Sequence, residues 1–163
     1  MNIFYLDSDP IICAKMHNDK HCVKMILESA QMLSTAHREL DGIEYADTHK
    51  LYKSTHKNHP SSVWVRESHM HYRFLYDLFI ALCDEYTYRY GKQHASDRQL
   101  RVPLAKTPDN IPQVTWNPPP QCMPEEYKMT SSVLAYRKYY IQDKGSFSTW
   151  KNRPQPYWFK ETA

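Results

Sequence analysis

Glycine is scarce in this chain, with three in 163 residues. That shortage argues against a turn-rich β-barrel and against a phosphate-cradling glycine loop, and neither GxGxxG nor GxxxxGK[ST] occurs. Long apolar runs are missing too. No stretch approaches the roughly 18 residues needed to cross a bilayer, and no signal peptide opens the sequence, so no membrane partner and a reduced, cytoplasmic setting are expected. The four cysteines, Cys13, Cys22, Cys83 and Cys122, are scattered with no CxxC pair, which speaks against cysteine-ligated zinc. Charge of one sign is also modest: a net +3 permits a basic patch without demanding one.

What is present is a length suited to one domain and an unusual supply of tyrosine, thirteen in all. Residues 2–6 read as a short extended run. Asp9 as N-cap and Pro10 at the first helical position start a helix through Met16, and Asn18-Asp19 caps a second, long one. Residues 39–55 read as a loop with a helical turn near Thr48 to Lys53. Pro60 opens a helix expected to run unbroken through Trp64, His71, Leu75, Leu78, Leu82 and Tyr86 to Gly91. Residues 92–123 hold Pro103, Pro108, Pro112 and Pro118-Pro119-Pro120, so a long proline-rich connection is expected, with a short helix around Ser96 to Leu100. Pro124, Glu125 and Glu126 open a last helical region through Ile141, closed by Gly145. The tail from Phe147 to Lys160 carries too many aromatics to stay disordered. The expected fold is all-α: a compact helical single domain with a proline-rich connection and an aromatic C-terminal tail.

The long helix carries the chemistry. Wound at 3.6 residues per turn, Val23, Ile26, Leu27, Ala30 and Leu33 form an apolar stripe. His21, Lys24, Glu28, Gln31 and Thr35 form a second row, in which an imidazole, an ammonium, a carboxylate and an amide converge as one wall of a site would require. A solvated face with a Lys24–Glu28 pair worth a few tenths of a kcal/mol is the plainer account of the same row. As a site, Glu28 would steady a cationic intermediate beside Lys24 and His21. Lys20 or Lys24 would serve as an amine nucleophile, the pairing that a glycosylase with lyase activity uses. Gln31, His17, His56, His59, Trp64 and Arg66 are the further candidates to line it. Two histidine clusters, His17-Asn-Asp19-Lys-His21 and His56 with His59, also supply donor types suited to zinc, iron or manganese, so a metal-dependent hydrolase is an alternative; no other cofactor is implied.

From Lys128 onward seven Lys or Arg stand against two acids, interleaved with aromatics. Arg137, Tyr140, Lys144, Trp150, Arg153 and Trp158 suit phosphate contact and base stacking, or equally a tail that docks by burying its tryptophans. DNA is the expected partner, and a non-catalytic nucleic-acid-binding protein is a further alternative. Nothing in the pattern fixes an oligomeric state.

Across Ala14 to Glu28, His59 to Lys92 and Trp150 to Phe159, the order of features resembles the phage pyrimidine-dimer DNA glycosylases of the endonuclease V type. Arg153-Pro154-Gln-Pro-Tyr157-Trp158-Phe159 is similar to that family's basic, aromatic C-terminal stretch, and the segment from Leu75 to Lys92 to its central helix. The chain as a whole also resembles uncharacterised proteins of marine tailed phages, which implies no activity. The glycosylase resemblance implies a small helical DNA-repair enzyme in the host cytoplasm, with Glu28 as catalytic carboxylate and the tail on DNA. That family attacks the sugar with the α-amine of a small residue exposed by removal of the initiator methionine. Here Asn2 follows Met1 and should prevent that removal, which leaves the Met1 amine, Lys20 or Lys24, or a different chemistry.

Overall fold

The computed structural model describes residues 1–159; Lys160, the last basic residue of the tail, lies outside them. The fold is all-α, with no strand among the described residues. Seven helices follow one another: α1 (Pro10–Met16), α2 (Asp19–Asp41), α3 (Glu44–Thr48), α4 (Pro60–Glu67), α5 (His69–Tyr90), α6 (Ala95–Leu100) and α7 (Ser132–Lys144). Short 3-10 turns fall at Pro103–Ala105, Glu125–Tyr127 and Gly145–Phe147. No helix among the described residues is long and apolar enough to cross a membrane.

Local chemistry sets the helix starts. Asp9 Oδ1 accepts the amides of Ile11 and Ile12 at 2.8 and 3.2 Å, and Pro10 takes the first position, where a missing N–H costs nothing. Asn18 Oδ1 accepts the His21 amide at 2.8 Å and opens α2. Gly91 ends α5 at φ 68°, a left-handed position that disfavours a side chain.

The core lies where α2 and α5 pack along each other, with α1 and α4 closing its ends. The N-terminal segment joins this core, with Ile3, Phe4, Tyr5 and Leu6 all buried. Because α2 is covered both by α5 and by this segment, its buried face is wider than one stripe and rotated from the expected one. Val23 and Leu27 are about two-fifths exposed, while Met25, Ile26, Ser29, Ala30, Met32 and Leu33 are buried.

Three other expectations need correcting. The helix from Pro60 to Gly91 is two helices, broken at Ser68. There Ser68 Oγ accepts the Met70 amide and donates to Val114 O at 2.7 Å, while the His69 amide donates to Pro112 O. A polar residue that caps the second helix and also binds the proline-rich connection outcompetes continuation. The turn expected near Thr48 to Lys53 lies earlier, as α3. The last helical region is a single turn at Glu125–Tyr127, separated from α7, whose Ser131 Oγ accepts the Leu134 amide.

The proline-rich connection hugs the surface. Trp64 Nε1 donates to Asn117 O at 3.0 Å, and the Asn117 amide donates to His71 Nε2 at 3.1 Å. The ring of His71 stacks on Trp64 with centroids 4.1 Å apart. The tail packs back over the α1–α2 junction, with Phe159 buried.

Candidate active site at the N-terminus

The buried N-terminal segment carries the first amine of the chain to the middle of α2. Met1 N lies 3.3 Å from Glu28 Oε1; the Met1 side chain is almost fully buried, the residue as a whole only partly so, and the Glu28 side chain is 15% exposed. Lys24 Nζ, one turn earlier on α2, approaches the other carboxylate oxygen at 3.8 Å from an exposed position. That oxygen, Glu28 Oε2, is buried and has no hydrogen-bond donor. Next to the amine, Asn2 Nδ2 donates to Cys122 O at 3.0 Å, while Asn2 Oδ1 is also buried without a donor. Two buried acceptors without donors flanking an amine form an unsatisfied polar arrangement, which a folded interior ordinarily avoids.

His59 faces the same place from the start of α4. Its Nδ1 accepts the Ser61 amide at 3.1 Å, which puts the proton of the neutral ring on Nε2. Burial, then the positive N-terminal amine and His56, lower its pKa, while Glu28 acts in the opposite direction. His59 also forms the border of an open cleft of about 810 Å3, whose walls include Pro118, Pro119, Pro120, Cys122 and Met129. Neither Met1, Asn2 nor Glu28 lines that cleft.

The remaining predicted row separates. His21 is buried in an aromatic stack, its Nδ1 2.7 Å from Tyr140 Oη and its ring 4.1 Å from Phe4. Burial, reinforced by His17, Lys144, Lys24 and Lys20, pushes its pKa down to about 3. It is a neutral packing group. Lys20 is exposed with Nζ 4.9 Å above the Phe147 ring. Gln31 is half-buried one turn beyond Glu28.

The basic and aromatic candidates of the C-terminal half bind the protein itself. Trp150 Nε1 donates to Met16 O, and Trp158 Nε1 points to Met16 Sδ. Arg153 pairs with Glu85 at 2.9 Å. Arg137 donates to Leu6 O at 2.8 Å, pairs with Asp7 and stacks over Trp158. Lys144 Nζ sits 3.1 Å from Asp143, and Tyr140 is buried against Asn18 and His21. Arg66 donates to Lys57 O, and Trp64 is part of the core.

The proposed metal ligands are not brought together. His17 Nδ1 binds Cys13 O in the interior, Asp19 pairs with Arg89, and His56 stands on an exposed loop at φ 48° beside Thr55. Among the described residues no group of three or more His, Cys, Asp or Glu side chains is arranged to hold a metal.

Asn2 and Cys122 escape a reading of the sequence because they meet across 120 residues and belong to no motif. Their only advance signal is the apolar run of residues 3–6, which predicts that the terminus is held in place. No family model, no curated protein and no solved structure matches the chain.

Proposed function

We propose that this chain is a DNA glycosylase with an associated lyase step, acting on damaged or modified bases, with the Met1 amine as nucleophile and Glu28 as its carboxylate. The observation that carries this reading is the 3.3 Å approach of Met1 N to Glu28 Oε1 beside acceptors that have no protein donor. The buried run of residues 3–6 fixes this amine in position.

In the reaction, the nitrogen lone pair attacks C1′ of the deoxyribose. The C1′–base bond breaks and its electron pair leaves with the base. The proton lost by the attacking nitrogen balances the one the base gains. Ring opening then gives an iminium, with the ring oxygen taking a proton from water to become a hydroxyl. Loss of a C2′ proton and departure of the 3′ phosphate cleave the strand. Glu28 stabilises the cationic sugar and iminium. In this reading Lys20 and Lys24, both exposed and one turn apart on α2, would meet phosphates on the way to Glu28.

Borohydride reduction of the iminium tests the reading. The wild-type chain is expected to become covalently attached to DNA bearing a damaged base or an abasic site, and Glu28→Gln to lose the attachment. Absence of any adduct, or undiminished activity in Glu28→Gln, overturns it.

A further inference from the structure

A second open cleft, of about 540 Å3, lies where the N-terminal segment, α5 and the proline-rich connection meet, and it shares no residue with the first. Its volume falls within the range of small-molecule sites. Three aromatic rings, one from each of those elements, make its apolar wall. Tyr5 and Trp116 each stand 5.4 Å from Phe74, centroid to centroid, and 6.3 Å from one another. Trp116 is held in turn by Trp64 and His71, both 5.5 Å away, and its neighbour Asn117 accepts from Trp64 and donates to His71. On its other side Ser68 fixes Val114. The aromatic corner is therefore set before any ligand arrives.

The polar side of the cleft is two residues of α5, one turn apart. Arg73 Nη2 and Asp77 Oδ1 face each other at 3.7 Å, longer than a hydrogen bond, and both side chains are about half exposed. Arg73 Nη1 donates to Ala105 O at 3.3 Å, which aims the guanidinium. Asp77 accepts no hydrogen bond among the described residues, and burial raises its pKa against the opposing charge of Arg73.

A guanidinium and a carboxylate side by side present donors next to acceptors. Among the common nucleobases guanine is the complement: its O6 accepts, and beside it N1–H and the N2 amino group both donate. Adenine and cytosine bring one amino donor to that edge and thymine one ring N–H, so none of them fills both carboxylate oxygens. The adjoining cleft, which shares Pro10 and Asp77, adds Asp9 and Asp84, and Arg73 is the one Lys or Arg lining either. Carboxylates in that number repel a phosphate chain.

We propose that this cleft binds a guanine ring, and not a nucleotide's phosphates, with Asp77 accepting from N1–H and N2–H, Arg73 donating to O6, and the ring against the aromatic corner. None of these residues takes part in the amine chemistry at Met1, so the two stand or fall separately.

Equilibrium dialysis of the intact chain against labelled guanosine, adenosine, inosine and xanthosine tests the site. Guanosine is expected to bind about tenfold or more tightly than adenosine, with inosine, which lacks the N2 amino group, between them. Asp77→Asn, at a half-exposed position with no hydrogen bond to lose, is expected to weaken guanosine by about tenfold or more and to favour xanthosine, whose O2 accepts from the introduced amide. Loss of folding cannot produce that reversal. A thymidine oligonucleotide carrying one guanine, set against the same strand carrying adenine, distinguishes a base in a single strand from a free nucleoside; an Asp77-dependent preference for guanine in either form supports the site. Adenosine bound as tightly as guanosine, guanosine triphosphate bound as tightly as guanosine, or a guanosine affinity unmoved by Asp77→Asn overturns it. So does the absence of binding by every probe at millimolar concentration.

Discussion

The cation–carboxylate cluster beneath the tail and the one at the N-terminus differ in one respect. Beneath the tail, Arg89 is fully buried and donates to Asp19, Glu85 and Lys15 O at 3.0, 2.8 and 3.0 Å. Arg153 closes the other side of Glu85 and lies 3.9 Å over Tyr88, while Thr149 Oγ1 and the Lys151 amide satisfy Asp19. Burial alone would raise the Glu85 pKa, but hydrogen bonds from Arg153 and Arg89 hold it below the ordinary range. Every carboxylate oxygen in that cluster has a donor. At the N-terminus, Glu28 Oε2 and Asn2 Oδ1 have none. The satisfied cluster fastens the tail to the body, whereas the N-terminal one holds two acceptors without donors.

That contrast is broken most sharply by stability. Arg89→Ala leaves Glu85 and Asp19 short of a buried partner and is expected to cost about 3–5 kcal/mol. For a chain of this size that is a fall of about 6–20 °C in Tm. Glu28→Gln is expected to lower Tm by no more than about 2 °C, the scale of a single weak pair in a chain this size. Comparable losses in a thermal melt of the two variants would mean that both clusters are structural.

Between the two regions lie His17 and His21, both held neutral. Burial lowers the His17 pKa to about 4 and that of His21 to about 3. The unfolded chain binds protons on these rings below about pH 6.5 and the folded chain does not, so stability is full above that value and declines as pH falls toward 4. The urea midpoint is therefore expected to drop between pH 6.5 and 5, before most carboxylates titrate. A flat midpoint across that window would contradict the packing role given to His21.

The smallest effect is expected at Lys24, whose side chain is 64% exposed and 3.8 Å from Glu28. Lys24→Ala should change stability by less than about 0.5 kcal/mol and trapping by less than about threefold, since the nucleophile is elsewhere. Loss of the adduct in this variant would transfer the amine's role to Lys24.

The helix starts were legible because their causes are local: Asp9-Pro10, Asn18 and Pro60 act within one turn of the helices they open. The break at Ser68 was not, because its cause is a hydrogen bond to Val114, which follows 46 residues later. Glu28 stood out on a polar row, yet the same row offered His21, which Phe4 and Tyr140 draw into the core. Periodicity places a residue on a face but does not say what covers that face. The tail was legible as a segment that would not stay disordered, but phosphate contact and docking were equally open to it; which of its cations would meet carboxylates depended on α5 lying beneath it, with Glu85 at hand.

The claim that the N-terminal pair is a reactive site is tested most directly by locating the covalent bond. After borohydride trapping on abasic DNA and digestion of the complex, mass spectrometry of the modified peptide should place the reduced sugar on the α-nitrogen of Met1. A sugar attached to Lys20 or Lys24, or a first peptide recovered unmodified from a trapped complex, would contradict the account.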